Sequence, residues 1–312
     1  MRLLPLLLAA CLTGQAAAQA AEPLRVCMSA DNAPLSWVQR QGGSEQLRGL
    51  DLRIAQALAD SLGRPLQAVP FETEFEKEST LAQEVNALLS AGVCEAVSGY
   101  PLIRSDLGPP QRPSARTPDH PGAKRKRERP FVPLGTLVAS RAYQAASLGL
   151  VLPGPQPRVA SPAELAALDD GGALTLGTTS GTLASALALQ WQGGALRPRL
   201  RSLGQREELL DALAAGRIGA ALLPLARFDG WKLSHPASAL VATPWRQPIG
   251  VNLGFVMLEG AAPLRQQLDA LITAAREDGR LARWAAEEGV SWAAPQPPEI
   301  GPGPSLAALL QR

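Results

Sequence analysis

Carboxylates, imidazoles and thiols are where chemistry would first be sought in this sequence. Glu72, Glu74, Glu76 and Glu78 alternate, and in a strand such spacing lines one face with acids suited to paired acid/base work or to a cation. Ahead of Ser79 the same residues also suit a solvated lead-in to a helix, whose N-terminus attracts acidic groups, and this second reading is preferred. His120 and His235 sit in separate proline-containing loops, and Cys27 and Cys94 lie at expected strand ends, so no zinc-like spacing arises. Neither histidine accompanies a nucleophile elbow. The residues therefore argue for no metal, no cofactor and no catalytic group.

Two other stretches have functional chemistry. Leu24 to Cys27 reads as a buried strand that stops at Ser29-Ala30-Asp31-Asn32-Ala33-Pro34, and an amphipathic helix follows from Gly49. Ligands of open parallel sheets bind beyond the carboxyl ends of strands, so the segment from Asp31 to Trp37 is a candidate site wall; its alternative is an ordinary connection. The second stretch is Lys124-Arg125-Lys126-Arg127-Glu128-Arg129. It is either a solvated loop or an electrostatic docking surface for an acidic partner or anionic lipid, built from Lys124, Arg125, Lys126, Arg127 and Arg129.

The elements that must carry these residues follow from composition and period. The chain has 312 residues, is 46% apolar and has a net charge of +2, enough for two packed domains and without the broad basic face of a nucleic-acid binder. Arg2, the apolar run Leu3 to Ala10 and Ala18-Gln19-Ala20 predict a cleaved signal peptide over 1–20 and a periplasmic mature chain starting at Ala21. A rival lipoprotein reading rests on Leu8-Ala9-Ala10-Cys11, which looks like a lipobox. With Cys11 removed, the even count left in an exported chain favours a Cys27–Cys94 disulfide, the alternative being two buried thiols.

Strand-helix alternation recurs as βαβαβ from Leu24 to Ser98 and again from Ala173 to Leu223, and the Ala91-Gly92 and Ala215-Gly216 junctions superpose. Leu107 to Pro133 is too proline-rich for either element and is expected to be a long loop. Strands at Leu240–Thr243 and Val251–Leu258 are separated by a crossing near Pro244 to Val251, after which two helices lead to a proline-rich tail.

Leu24-Arg25-Val26, Asp31 to Trp37, Gly49-Leu50-Asp51 and the two Ala-Gly junctions together resemble bacterial solute-binding proteins of family 3, the periplasmic receptors of ABC importers. The LRVC start and the Ala91 to Glu95 junction look most like the subgroup associated with quinoprotein dehydrogenases. The resemblance implies an α/β, two-lobed periplasmic-binding-protein-like type II fold. Each lobe would be a parallel-dominated sheet flanked by helices, joined by two hinge crossings. Lobe 1 would comprise 21–138 and 246–292 with the loop 107–133, lobe 2 would comprise 139–245, and 293–312 would be the tail.

The resemblance also implies a site. Asp31, Asn32, Ser36 and Trp37 would form the first wall, and Ser98, Gly99 and Tyr100 would offer backbone groups. Thr178, Thr179, Ser180, Gly181 and Thr182 would receive an anion at a helix N-terminus, where free N–H groups and the dipole favour negative charge; capping alone is the alternative role for such a cluster. Arg104 and Pro224 border the same cleft. Departures from the family pattern are specific. Asn32 and Leu35 replace expected aromatics, Asp106 stands where an arginine would fork a carboxylate, and no acid follows Leu223-Pro224-Leu225-Ala226 until Asp229. These argue against an α-amino acid ligand. The expected partners are a small-molecule solute and either ABC-transporter membrane subunits or, alternatively, a periplasmic quinoprotein dehydrogenase, with the chain a monomer. A dehydratase or lytic enzyme on the same scaffold is a further alternative.

Overall fold

The computed structural model describes residues 21–42, 44–73, 79–154 and 158–310. The expected signal peptide, Cys11, Glu74, Glu76 and Glu78 lie outside the described residues.

The first unit begins with β1 (Leu24–Ser29), whose Leu24, Val26, Cys27 and Met28 are completely buried. Three short antiparallel strands follow, β2 (Asp31–Asn32), β3 (Ser36–Gln41) and β4 (Ser44–Arg48). Helix α1 (Leu50–Leu62) buries Leu50, Ile54, Ala55 and Leu58 on one face and ends at Gly63 in the left-handed conformation, which glycine adopts without a Cβ penalty. Strand β5 (Leu66–Phe71), helix α2 (Leu81–Ser90) and strand β6 (Ala96–Pro101) complete the unit. The α2 start is a capping box between Thr80 and Gln83. Both β5 and β6 flank β1 in parallel, so β1 is central.

The long loop is pinned at its base by β7 (Ser114–Ala115) against β8 (Val132–Pro133) and leads to β9 (Leu137–Ala139). Strand β10 (Gln144–Pro153) then runs into the second unit, through α3 (Pro162–Ala167), β11 (Leu176–Thr179), α4 (Leu183–Gln190), β12 (Leu200–Leu203), α5 (Leu209–Ala214), β13 (Ala220–Pro224) and α6 (Leu225–Ser234). At the start of α3, Ser161 Oγ accepts from Glu164 N, as the Ser-Pro-x-Glu spacing predicts, while the Glu164 carboxylate takes Ala160 N. Strand β11 is central between parallel β12 and β13, repeating the order of the first unit.

Strand β14 (Leu240–Leu258) joins the two units and corrects one expectation. Its two predicted strands are one continuous strand of 19 residues. The crossing near Pro244 to Val251 is therefore itself a strand, and register shifts between Ala145/Ser147 and Gly149/Val151 of its β10 partner accommodate the irregularity. The sheet reads β12-β11-β13-β10-β14-β6-β1-β5, with β9 also on β14. The pair β10 and β14 is thus the double connection between two α/β lobes. Helices α7 (Ala262–Glu277) and α8 (Arg280–Glu287) pack with α1 over the first lobe, sharing a core of Leu50, Ile54, Leu268, Ile272 and Leu281. On its other face Val85, Leu88, Cys94 and Val97 pack under α2. The second lobe is likewise covered on both faces, Leu176 and Leu187 lying in one cluster and Leu210 and Leu223 in the other.

Cys27 and Cys94 form a disulfide inside the first-lobe core. The tail is more than an extended end. Trp292 Nε1 donates to Tyr143 O at 2.9 Å and Ala145 N to Ala293 O at 2.9 Å. Buried Asn252 of β14 donates to Gln296 O at 2.8 Å and to Glu299 O at 3.0 Å, and its Oδ1 accepts from Gln296 N at 2.9 Å. Gly301 pairs with Ile103 beyond β6, and α9 (Leu306–Leu310) buries Leu309 against the second lobe. The tail is therefore a third span across the hinge.

Candidate functional site

The sequence-nominated polar residues lie at the carboxyl ends of parallel strands in both lobes. Asp31 to Trp37 follow β1, Ser98 to Tyr100 close β6, Thr178 to Thr182 run from β11 into α4, and Pro224 ends β13. The loop after β1 meets the second lobe at α6, the helix that follows Pro224: a Cβ built on Gly230 of α6 would stand 2.8 Å from Ala33 O. Glycine is needed there because the second lobe rests directly on the backbone of the loop after β1.

In that loop, Ser29 Oγ donates to the Asp31 carboxylate at 2.8 Å, and Asp31 is exposed. Asn32 and Trp37 are half-buried and Ser36 is buried with its hydroxyl unpaired. Gly99 has a φ of +67°, beside a register shift between β14 and β6, and its missing Cβ leaves room for the Asp51 carboxylate, whose Oδ2 would lie 2.8 Å away. Ser98 approaches the same carboxylate without reaching good hydrogen-bond geometry. Tyr100 points elsewhere, into the core with Val85 and Leu102, where burial raises its phenol well above the ordinary value. Its side chain is a core residue, so any service to a ligand comes from its backbone.

Asp51 is the residue that sequence reasoning passed over, having taken it only as part of a helix start. It is fully buried in the first turn of α1, and its Oδ1 accepts from Tyr143 OH at 2.6 Å. Tyr143 immediately precedes β10, so this bond ties α1 to the hinge. Burial pushes the Asp51 carboxyl up to about 7 against the opposing effect of the Tyr143 and Ser98 hydroxyls. The available signal was an acidic residue between Leu50 and Leu52 on a helix whose apolar face begins at Leu50.

In the second lobe, Thr182 caps α4: its Oγ1 accepts from Ser185 N at 3.2 Å and donates to Thr179 O at 2.7 Å. Ser180 N donates to Leu203 O, Thr178 is fully buried with its hydroxyl unpaired, and Gly181 is exposed. Replacing Thr182 with alanine is expected to destabilise the protein by about 1 kcal/mol, the usual worth of such a cap, as read from a chemical denaturation midpoint.

The charged residues do not assemble an amino-acid clamp. Arg104 is exposed, and its backbone N donates to Gly301 O of the tail. Both oxygens of Asp229 are taken by Ser291, Oδ2 accepting from its N and Oδ1 from its hydroxyl, each at 2.7 Å. Burial raises the Asp229 carboxyl and lowers the facing Arg246 guanidinium. The described residues hold no cluster of His, Cys, Asp and Glu fit for a metal. A groove of about 720 Å³ lies elsewhere, lined by Arg25, Leu62, Leu89, Cys94 and Leu264 near the start of β1, at the end of the first lobe away from these loops.

Comparisons with solved structures agree with this topology. The chain is similar to substrate-binding domain 2 of Lactococcus lactis GlnP in its open conformation (TM-score 0.59, 15% identity, covering 88% of this chain and 97% of that one). It is also similar to an ancestral cationic amino acid solute-binding protein (TM-score 0.54, 19% identity, 85% and 94% covered). A third likeness is to an ancestral cyclohexadienyl dehydratase (TM-score 0.55, 16% identity, 86% and 92% covered). No protein-family model and no curated protein matches the chain. At such identities the likeness defines the fold, that of two-lobed solute-binding proteins. Among the described residues no helix is long and apolar enough to cross a membrane.

Proposed function

We propose that the protein binds a small solute between its lobes, as the exported receptor component of an ABC-type importer. The observation that supports this reading is the Gly230–Ala33 approach, in which α6 of one lobe rests on the strand-end loop after β1 of the other, the lobes being joined by a double-stranded hinge. Ligands of α/β sheets occupy such crevices at strand carboxyl ends, and paired lobes can close on them. The named structural neighbours that bind solutes support the assignment; the dehydratase among them keeps an enzyme on the same scaffold as the competing outcome.

The solute is not a zwitterionic amino acid held in the family manner. Asp229 is saturated by Ser291, Arg104 is outside, and Asp106 stands where the arginine would be. Instead the half-buried side chains of Asn32, Ser180 and Thr182 give the walls uncharged polar groups, while the hydroxyls of Ser36, Ser98 and Thr178 are buried behind them. A thermal-shift panel of amino acids, organic acids, amines and neutral polar solutes tests this. A neutral or singly charged compound is expected to raise the melting temperature, and at a hundredfold excess over Kd the stabilisation is about 2.7 kcal/mol. No shift across the panel refutes solute binding, and turnover of a prephenate-like compound or a glycan would make the protein an enzyme.

A further inference from the structure

The long loop between β6 and β9 carries a set of exposed cations that the solute site does not use. Arg129, expected among the docking cations, is only 7% exposed and holds the loop from within. Its guanidinium donates to Lys124 O at 2.7 Å, to Thr117 O at 2.9 Å and to the Asp119 carboxylate at 3.1 Å. With a buried arginine at its centre, the loop is a built structure and not a run of solvated charge. Arg116 donates to Arg129 O at 3.0 Å and lays its guanidinium 4.4 Å over the ring of Phe131. Phe131 is 62% exposed, the most exposed large apolar side chain of the described residues.

Arg112 and Arg116 line one recess with that ring, Lys124, Arg125 and Arg127 are exposed further along the same loop, and none of the five meets a carboxylate among the described residues. Elsewhere Arg40, Arg53, Arg64, Arg217 and Arg227 each do. Of the acids within the loop, Asp119 is neutralised by Arg129, which leaves Asp106 and Glu128.

We propose that this loop docks the protein on an anionic lipid surface, Phe131 entering the headgroup boundary while the loop's exposed arginines and lysine meet lipid phosphates. A protein partner would demand a shaped patch with several apolar side chains at its centre. Here there is one exposed aromatic, flanked by Pro130 and Val132, on a loop that also carries the exposed cations Arg112, Lys124, Arg125 and Arg127. Lipid headgroups make no demand on shape, and one apolar anchor with a few basic residues gives weak, reversible, salt-sensitive attachment.

The test is co-sedimentation of the full chain with vesicles of phosphatidylcholine alone or mixed with phosphatidylglycerol. The mixed vesicles should bind it more tightly at low salt, and added salt should release that difference. The triple variant Lys124→Glu, Arg125→Glu, Arg127→Glu should lose affinity for mixed vesicles by about a hundredfold, each cation contributing roughly fivefold. Phe131→Ala should weaken binding severalfold with the salt dependence retained. A charge-matched control, Arg158→Glu, Arg201→Glu, Arg206→Glu, changes exposed cations of the second lobe and should bind like the parent. All variants carry the same N-terminal segment, so their differences isolate the loop, and an unchanged circular dichroism melt shows that each is folded. No preference of the parent for anionic vesicles, or equal losses in the loop and control variants, overturns the proposal; so does salt-sensitive binding to an acidic protein with none to vesicles.

Discussion

Asp51→Asn is expected to leave stability near pH 4 almost unchanged and to raise it at pH 8 by about 4 kcal/mol. The carboxyl is completely buried, one oxygen accepts from Tyr143 and the other has no hydrogen-bond partner, so ionisation in the folded state is disfavoured and its pKa rises to about 7 from the ordinary 3.8. A raised folded-state value means that the native protein holds this proton after the unfolded chain has released it. The contribution is fully present below about pH 4 and is lost as pH rises through about 7; three pKa units correspond to about 4 kcal/mol. The asparagine variant carries no such proton, so its stability should lack this fall. Urea denaturation of both proteins between pH 4 and pH 8 measures it. Parallel curves would show that Asp51 is not a buried, neutral carboxyl at the hinge.

The second large effect concerns the tail. Asn252→Ala should cost about 3 kcal/mol, because several buried hydrogen bonds to 296–299 are lost together and the backbone groups they served are left unpaired. The loss should also free the third span, and amide hydrogen exchange reports it. Faster exchange at Ala145, whose N–H is bonded to Ala293 O, and at Arg104, whose N–H is bonded to Gly301 O, is expected while β1 and β11 stay protected. Uniformly faster exchange throughout would mean that the tail is a part of the general core and no separate strap.

Much of this architecture was legible in the sequence because its signals are local. The βαβαβ units announce themselves through apolar runs such as Leu24 to Cys27 and helical stripes such as Leu50, Ile54 and Leu58, and the disulfide through an even cysteine count. The β2–β3–β4 sheet was not legible: Gln39, Arg40, Gln41 and Gln46 give no alternation, and its pairing depends on a turn and on packing against the loop after β1. Strand β10 was missed because its small residues Ala145, Ala146, Ser147 and Gly149 are weak strand formers whose order comes from β13 and β14 on either side. Helix α6 was hidden by Gly230 and a mixed polar face, and the tail's role by its prolines. In the site, the strand-end loops were found because topology alone selects them. Asp51, the Tyr143 bond, the Asp229–Ser291 pair and the inward turn of Tyr100 depend on contacts between distant segments, which no spacing in one segment encodes. The same holds for Arg129, one basic residue among five by sequence and a buried tether by structure.

If a solute is held between the lobes, substitution at Gly230 must weaken its binding. Isothermal titration with the compound that gives the largest thermal shift should be run on the parent and on Gly230→Leu. A leucine side chain there must displace the Ala33 carbonyl, 2.8 Å from the first added carbon, and so hold the lobes apart. At least a tenfold loss of affinity, about 1.4 kcal/mol, is expected in a variant that remains folded. Undiminished affinity would contradict binding between the lobes, because the solute would then be bound without the two lobes meeting around it.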